Sequence, residues 1–134
     1  MSLHYTHDRR EIEGMGRILI IDDTLFMRTL LKNILTSGGH EVVGEAEDGD
    51  IGVAKYLELK PDIVTMDVVM PKMNGIEALK AIKNIDPHAK VIMCTAVGQE
   101  QMVKLAIKCG ARGYIVKPFQ APKVLEEIGN LLGT

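Results

Sequence analysis

The sequence predicts an α/β protein: a five-stranded parallel sheet wound on both faces by helices. Three observations predict it. Short apolar runs rich in β-branched residues alternate five times with helix-period segments from Arg17 onward. The runs are apolar at successive positions, as strands buried on both faces require. The chain has 134 residues, 46% hydrophobic and 25% charged, which suits one globular domain and leaves nothing for a second. A regular βα alternation of this kind closes only as a parallel sheet.

Each element has its own signal. Strand one is about 17–22, through Ile18-Leu19-Ile20-Ile21. Helix one, about 25–37, lines Leu30, Leu31, Ile34 and Leu35 on one face and stops at Gly38-Gly39. Strand two is about 41–45. Helix two follows Asp48-Gly49 and runs to about Leu59, where Pro61-Asp62 closes the turn. Strand three is about 62–67, through Ile63-Val64-Thr65-Met66. Helix three starts near Gly75, with Ile76, Leu79 and Ile82 as its buried stripe, and Asp86-Pro87 breaks it. Strand four runs from Lys90 to Thr95. Helix four is about 99–109, with Gly110 as its end cap. Strand five is about Gly113 to Val116. Helix five, about 121–132, turns Val124, Leu125, Ile128, Leu131 and Leu132 inward.

Residues 1–16 are polar and aperiodic, and are read as an extension or tag; Met15 is a candidate original start. His4 and His7 are spaced like ligands, but they sit in this tag-like stretch. A formal charge of −2 and 4% aromatic residues give no case for a nucleic-acid surface or a stacking platform. No apolar stretch is long enough to insert into a membrane, and the N-terminus lacks a signal-peptide core, so a cytoplasmic protein is expected. Cys94 and Cys109 lack metal-ligand spacing, and Cys94 reads as a small buried hydrophobe. Met27, Met73, Met93 and Met102 read as adaptable packing, and His40 and His88 as surface turn residues.

The chemistry gathers at strand ends. Asp22-Asp23 follows strand one, Asp67 ends strand three, Thr95 ends strand four, and Lys117-Pro118 follows strand five. In an open α/β sheet that edge is where ligands bind. Three carboxylates crowded there repel unless protons or a metal neutralise them. An all-oxygen ligand set favours a hard divalent cation, Mg²⁺. Acid, hydroxyl and ammonium side by side point to Mg²⁺-dependent phosphoryl chemistry.

Residues 17–133 resemble the receiver domain of two-component signalling. The resemblance rests on Asp22-Asp23, Asp67, Met70-Pro71-x-Met73-Asn74-Gly75, Thr95 and Lys117-Pro118-Phe119 in this order and spacing. Asp22-Asp23-Thr-Leu-Phe-Met27-Arg28 and Ala96-Val-Gly-Gln-Glu look most like the stand-alone chemotaxis regulators, the CheY-like group. The resemblance implies a flavodoxin-like (βα)5 fold with strand order 2-1-3-4-5. It also implies Asp67 as phosphoacceptor from a histidine kinase of the CheA type, already anionic at pH 7 and needing no base. Asp23, Asp22, Asp67 and the backbone carbonyl of Val69 would hold Mg²⁺. Lys117 would meet a phosphoryl oxygen, and the Lys117–Pro118 peptide would be cis. Thr95 would donate its hydroxyl to another oxygen, and Tyr114 would turn inward as Thr95 moves. The helix-four, strand-five and helix-five face would then recruit a motility-motor component or adaptor. Such a module is a monomeric switch, not an enzyme beyond its own phosphorylation and slow dephosphorylation, with a phosphatase as a further partner.

Val69 and Val97 stand where the family often has polar residues beside the water approach, so the resemblance implies a long-lived phosphoryl group. A phosphorelay intermediate is the alternative output. In another class, an Asp-nucleophile phosphohydrolase of the haloacid dehalogenase type also pairs Asp, Thr and Lys with Mg²⁺. It needs a second acid where Val69 stands, and a substrate cap. A flavodoxin needs a phosphate-binding loop after strand one, where Asp22-Asp23 would repel the phosphate.

Overall fold

The computed structural model describes residues 14–134. His4, His7 and most of the 1–16 extension therefore lie outside the described residues. Five strands and five helices alternate: β1 (Arg17–Ile21), α1 (Leu25–Ser37), β2 (Glu41–Ala46), α2 (Gly49–Leu59), β3 (Ile63–Asp67), α3 (Gly75–Ile85), β4 (Val91–Thr95), α4 (Glu100–Lys108), β5 (Gly113–Val116) and α5 (Ala121–Leu132). All neighbouring strands pair in parallel, in the order β2-β1-β3-β4-β5. This is the order that the sequence resemblance implied.

Side chains alternate across the strands and build two cores. Ile18, Ile20, Ile63, Ile92, Cys94 and Ile115 pack against α1 and α5. Leu19, Ile21, Val64, Met66, Val91 and Met93 face α2, α3 and α4 on the other side. The central strands β1, β3 and β4 are thus buried on both faces and carry no polar alternation, whereas the edge strands β2 and β5 are partly exposed. Met93 is fully buried, while Met27, Met73 and Met102 pack partly buried at the margins of the two cores. Leu30, Leu125 and Leu132 are also marginal to their core and not fully buried. Cys94 is buried, and burial pushes its thiol pKa up.

Local chemistry sets the helix starts. The Asp48 side chain accepts from the Ile51 amide at 2.9 Å and opens α2. Asn74 and Glu77 close a reciprocal capping box that opens α3, at 2.9 and 3.2 Å. Gly110 follows α4 with φ +105°, a left-handed turn that glycine adopts without steric cost.

His40 departs from expectation. It is buried, and its Nδ1 accepts the Gly16 amide at 3.1 Å. The turn at Gly38-Gly39 feeds straight into β2, so the imidazole folds under the entrance of β1 instead of facing solvent. Burial lowers its pKa and favours the neutral ring that this bond needs. His88, by contrast, is exposed.

One polar group in the sheet is left unmatched. Thr65, on β3, is 1% exposed, and its hydroxyl has no hydrogen-bond partner among the described residues. A buried hydroxyl without a partner costs about 1–3 kcal/mol, and valine has nearly the same shape. Thr65→Val is therefore expected to raise unfolding stability by about 1 kcal/mol, read from the denaturant midpoint at constant m-value. A loss of stability would mean that the hydroxyl has a partner after all.

Candidate functional site

The topology brings the strand-end residues together. β1 and β3 are neighbours, so Asp22, one residue past β1, meets Asp67 at the end of β3. Ligand oxygens of Asp22, Asp23 and Asp67 all lie within 4.8 Å of one another. Asp22 and Asp67 are buried, whereas Asp23 is exposed and opens the cluster to solvent. All donors are carboxylate oxygens, a set that fits a hard divalent cation.

Asp22 is held from several directions. Its Oδ1 accepts the Thr24 amide at 2.9 Å and the Thr24 hydroxyl at 3.0 Å. Its backbone N–H donates to the Ala46 carbonyl at 3.0 Å, and its own carbonyl accepts from Arg28 at 2.7 Å. Arg28 also pairs with Glu45 at 3.2 Å, which ties α1, β2 and the acidic turn together. The N-cap residue of α1 is Thr24, but its hydroxyl serves Asp22 and does not cap the helix.

Lys117 supplies the counter-charge. Its Nζ lies 3.0 Å from Asp22 Oδ2 and 3.4 Å from Asp67 Oδ1. Burial pulls the Lys117 pKa down, but the two aspartates outweigh that and the net shift is upward. The Lys117–Pro118 peptide is cis. On the other side of Asp67, the chain turns tightly: the Gly75 amide donates to the Val68 carbonyl at 2.9 Å. A Cβ on Gly75 would collide with the Asp67 carbonyl oxygen, so only glycine lets α3 begin this close to the strand end.

One cation does not balance three acids. Asp67 has its pKa raised to about 7, first by burial and then by the charge of Asp22, with a hydrogen bond to Asp23 adding to the shift and Lys117 opposing it. The sequence-based expectation that Asp67 is anionic at neutral pH takes no account of this upward shift. Burial and the neighbouring Asp22 carboxylate thus favour the protonated form of Asp67 in the metal-free protein. The cause is burial, which a linear sequence does not display.

Thr95 is close to the cluster but not turned to it. Its hydroxyl donates to Gln99 Oε1 at 3.0 Å. Tyr114 is 48% exposed and lines a groove of about 960 Å³ with Thr95, Val97, Leu105, Ile107 and Val116. Val69 and Val97 are 53% and 83% exposed. Gln99 and Arg28 lie within the segments that carry the sequence resemblance, but the sequence assigns neither of them a role. Arg28 does carry a signal, six residues beyond Asp22 and one helical turn into α1.

Comparison with known proteins shows what the chain is similar to. A sequence model of the response regulator receiver domain matches residues 18–129. The chemotaxis protein CheY of Thermotoga maritima is 57% identical over 115 residues, 86% of this chain and 96% of that protein. CheY of Bacillus subtilis is 58% identical over 116 residues, 87% of this chain and 97% of that protein. Among solved structures, a CheX–CheY–BeF3–Mg²⁺ complex from Borrelia burgdorferi matches with TM-score 0.82 at 42% identity, over 86% of this chain and 87% of that one.

The raised Asp67 pKa has a measurable sign. The folded protein keeps this proton up to about pH 7, whereas the unfolded chain releases it near 3.8. The contribution of Asp67 to metal-free stability is thus greatest at low pH and declines as pH rises from about 4 to 7. Asp67→Asn is expected to remove that slope and to stabilise the metal-free fold at pH 8 by on the order of 2 kcal/mol. Mg²⁺ should stabilise the parent protein more at pH 8 than at pH 6, since binding displaces a proton. Denaturation curves at several pH values, with and without Mg²⁺, check both.

Proposed function

The chain belongs to the response regulator receiver domain family, and on that premise we propose that residues 17–133 are a receiver that works as a phosphorylation switch in chemotaxis. The observation that carries the proposal is the meeting of Asp22, Asp23 and Asp67 with Lys117 at one edge of the sheet. Asp67 is the phosphoacceptor. One of its carboxylate oxygens forms a bond to phosphorus as the P–N bond to the donor histidine breaks. The imidazole leaves with the electron pair and takes up a proton.

Asp22, Asp23, Asp67 and the Val69 carbonyl would hold Mg²⁺, which when bound neutralises charge on the transferring group. A cation held there would favour the carboxylate form of Asp67, the form that attacks phosphorus. Lys117 leaves its bond to Asp67 and meets a phosphoryl oxygen. Thr95 donates its hydroxyl to another. Tyr114 then turns into the space that Thr95 vacates, and the α4, β5 and α5 face is remodelled. A local charge change thus biases a two-state surface.

The donor is a CheA-like histidine kinase, and the receiving partner is a motility-motor component or its adaptor. Two relatives named as chemotaxis proteins support this output. The protein acts as a monomer in the cytoplasm. Among the described residues no helix is long and apolar enough to cross a membrane. It catalyses its own phosphorylation and slow dephosphorylation only, and a phosphatase is a further partner.

Intact-mass measurement after incubation with acetyl phosphate and Mg²⁺ tests the core of the proposal. One phosphoryl group should be added, and none without metal or in Asp67→Asn. Turnover of many substrate equivalents would point to a hydrolase instead.

The exposed valines bear on lifetime, because neither side chain can orient an attacking water. Val69→Asn together with Val97→Glu is expected to speed loss of the phosphoryl group at least about threefold, or about 0.7 kcal/mol off the barrier. Unchanged decay of the phosphorylated species would sink this assignment.

A further inference from the structure

One side chain outside the acidic cluster restrains the Thr95 hydroxyl. Gln99 Oε1 lies 3.0 Å from Thr95 Oγ1 and 2.8 Å from the Ala96 backbone nitrogen. The Ala96 N–H needs an acceptor, and within a carboxamide only the oxygen is one, so Gln99 turns its carbonyl inward. Thr95 must then be the donor in its own bond to that carbonyl. The Ala96 carbonyl, 3.2 Å from Oγ1, is the other acceptor within reach.

A hydroxyl has a single hydrogen. Thr95 cannot donate to Gln99 and to an oxygen on Asp67 at the same time. The acceptor that holds it is also part of the start of α4: Gln99 is the residue before Glu100, and its backbone carbonyl accepts the Met102 and Val103 amides, each at 3.1 Å. The loop that lets its side chain fold back contains Gly98, with φ +95°.

We propose that Gln99 is a positioning residue for phosphoryl transfer, acting through Thr95. Its carbonyl keeps the Thr95 hydroxyl in the resting arrangement. Phosphorylation of Asp67 proceeds as Thr95 exchanges this acceptor for a phosphoryl oxygen, and the exchange removes one of the two bonds that hold the Gln99 side chain at the start of α4. The inference rests on the proposed phosphoacceptor role of Asp67.

The test compares Gln99→Met, which keeps side-chain length without a carbonyl, and Gln99→Glu, which keeps an acceptor. Gln99→Ala serves as a second acceptor-free variant. Readouts are the rate of phosphorylation by acetyl phosphate with Mg²⁺ and the affinity for beryllofluoride with Mg²⁺. Both acceptor-free variants should raise both readouts about two- to tenfold, the equilibrium equivalent of one neutral hydrogen bond. Gln99→Glu should stay at or below the parent. In a Thr95→Val background, where there is no hydroxyl to hold, Gln99→Met should change neither readout.

Parent-like behaviour of both acceptor-free variants would overturn the role of Gln99 and leave the phosphoacceptor reading intact. So would a shift that persists in the Thr95→Val background, which marks a general loosening of the loop. If the parent itself takes up no phosphoryl group, the phosphoacceptor reading fails and this inference falls with it.

Discussion

Crowding of like charge at one edge of the sheet organises most of what surrounds it. Asp22 and Asp67 are buried a few ångströms apart, with Asp23 beside them and one lysine to offset the three. Left alone, such a cluster favours taking up a proton, and burial with the charge of Asp22 raises the Asp67 pKa. The surrounding contacts keep the carboxylates from relaxing by moving apart. Arg28 grips the Asp22 carbonyl, Thr24 fills one side of its carboxylate, and the Gly75 turn fixes the backbone of Asp67. The protein therefore carries an electrostatic tension that a divalent cation relieves, and its chemistry starts from that state.

The fold makes this crowding possible by placing β1 between β2 and β3. The chain leaves β1 in one direction and returns on the other side, so the loops after β1 and β3 open a crevice between them. β4 and β5 then bring Thr95 and Lys117 to the same edge, Thr95 at the end of a fully buried strand and Lys117 just after a partly exposed one. Rigid strands supply position, and the short loops that follow them supply reactivity. Hydrophobic packing on both faces contributes to the site only by holding these strand ends in register.

Much of this was legible in the sequence because the signals are local. Ile18 to Ile21 and Ile63 to Met66 announce buried strands, and the acids directly after them inherit a shared edge. Asn74-Gly75 announced a turn, although the collision that excludes any other residue at Gly75 appears only in three dimensions. What stayed hidden depends on burial or on a fold-back. His40 reads as a turn residue until the packing of β2 covers it. Asp67 reads as a plain carboxylate until its desolvation is seen. Gln99 reaches Thr95 across a loop whose path depends on a left-handed glycine, and no periodicity marks such a contact.

The helices are not equally anchored. α3 buries five residues and α5 three, whereas α4 fully buries Ala106 alone, with Met102 only partly covered. Most of α4 thus carries few packing obligations to the sheet. A helix so lightly committed can change its outward residues over evolutionary time at little cost to folding. The acidic edge, by contrast, is locked by close backbone contacts and tolerates little drift. The fold thereby separates a tightly packed acidic edge from a lightly packed helix whose outward residues are free to diversify.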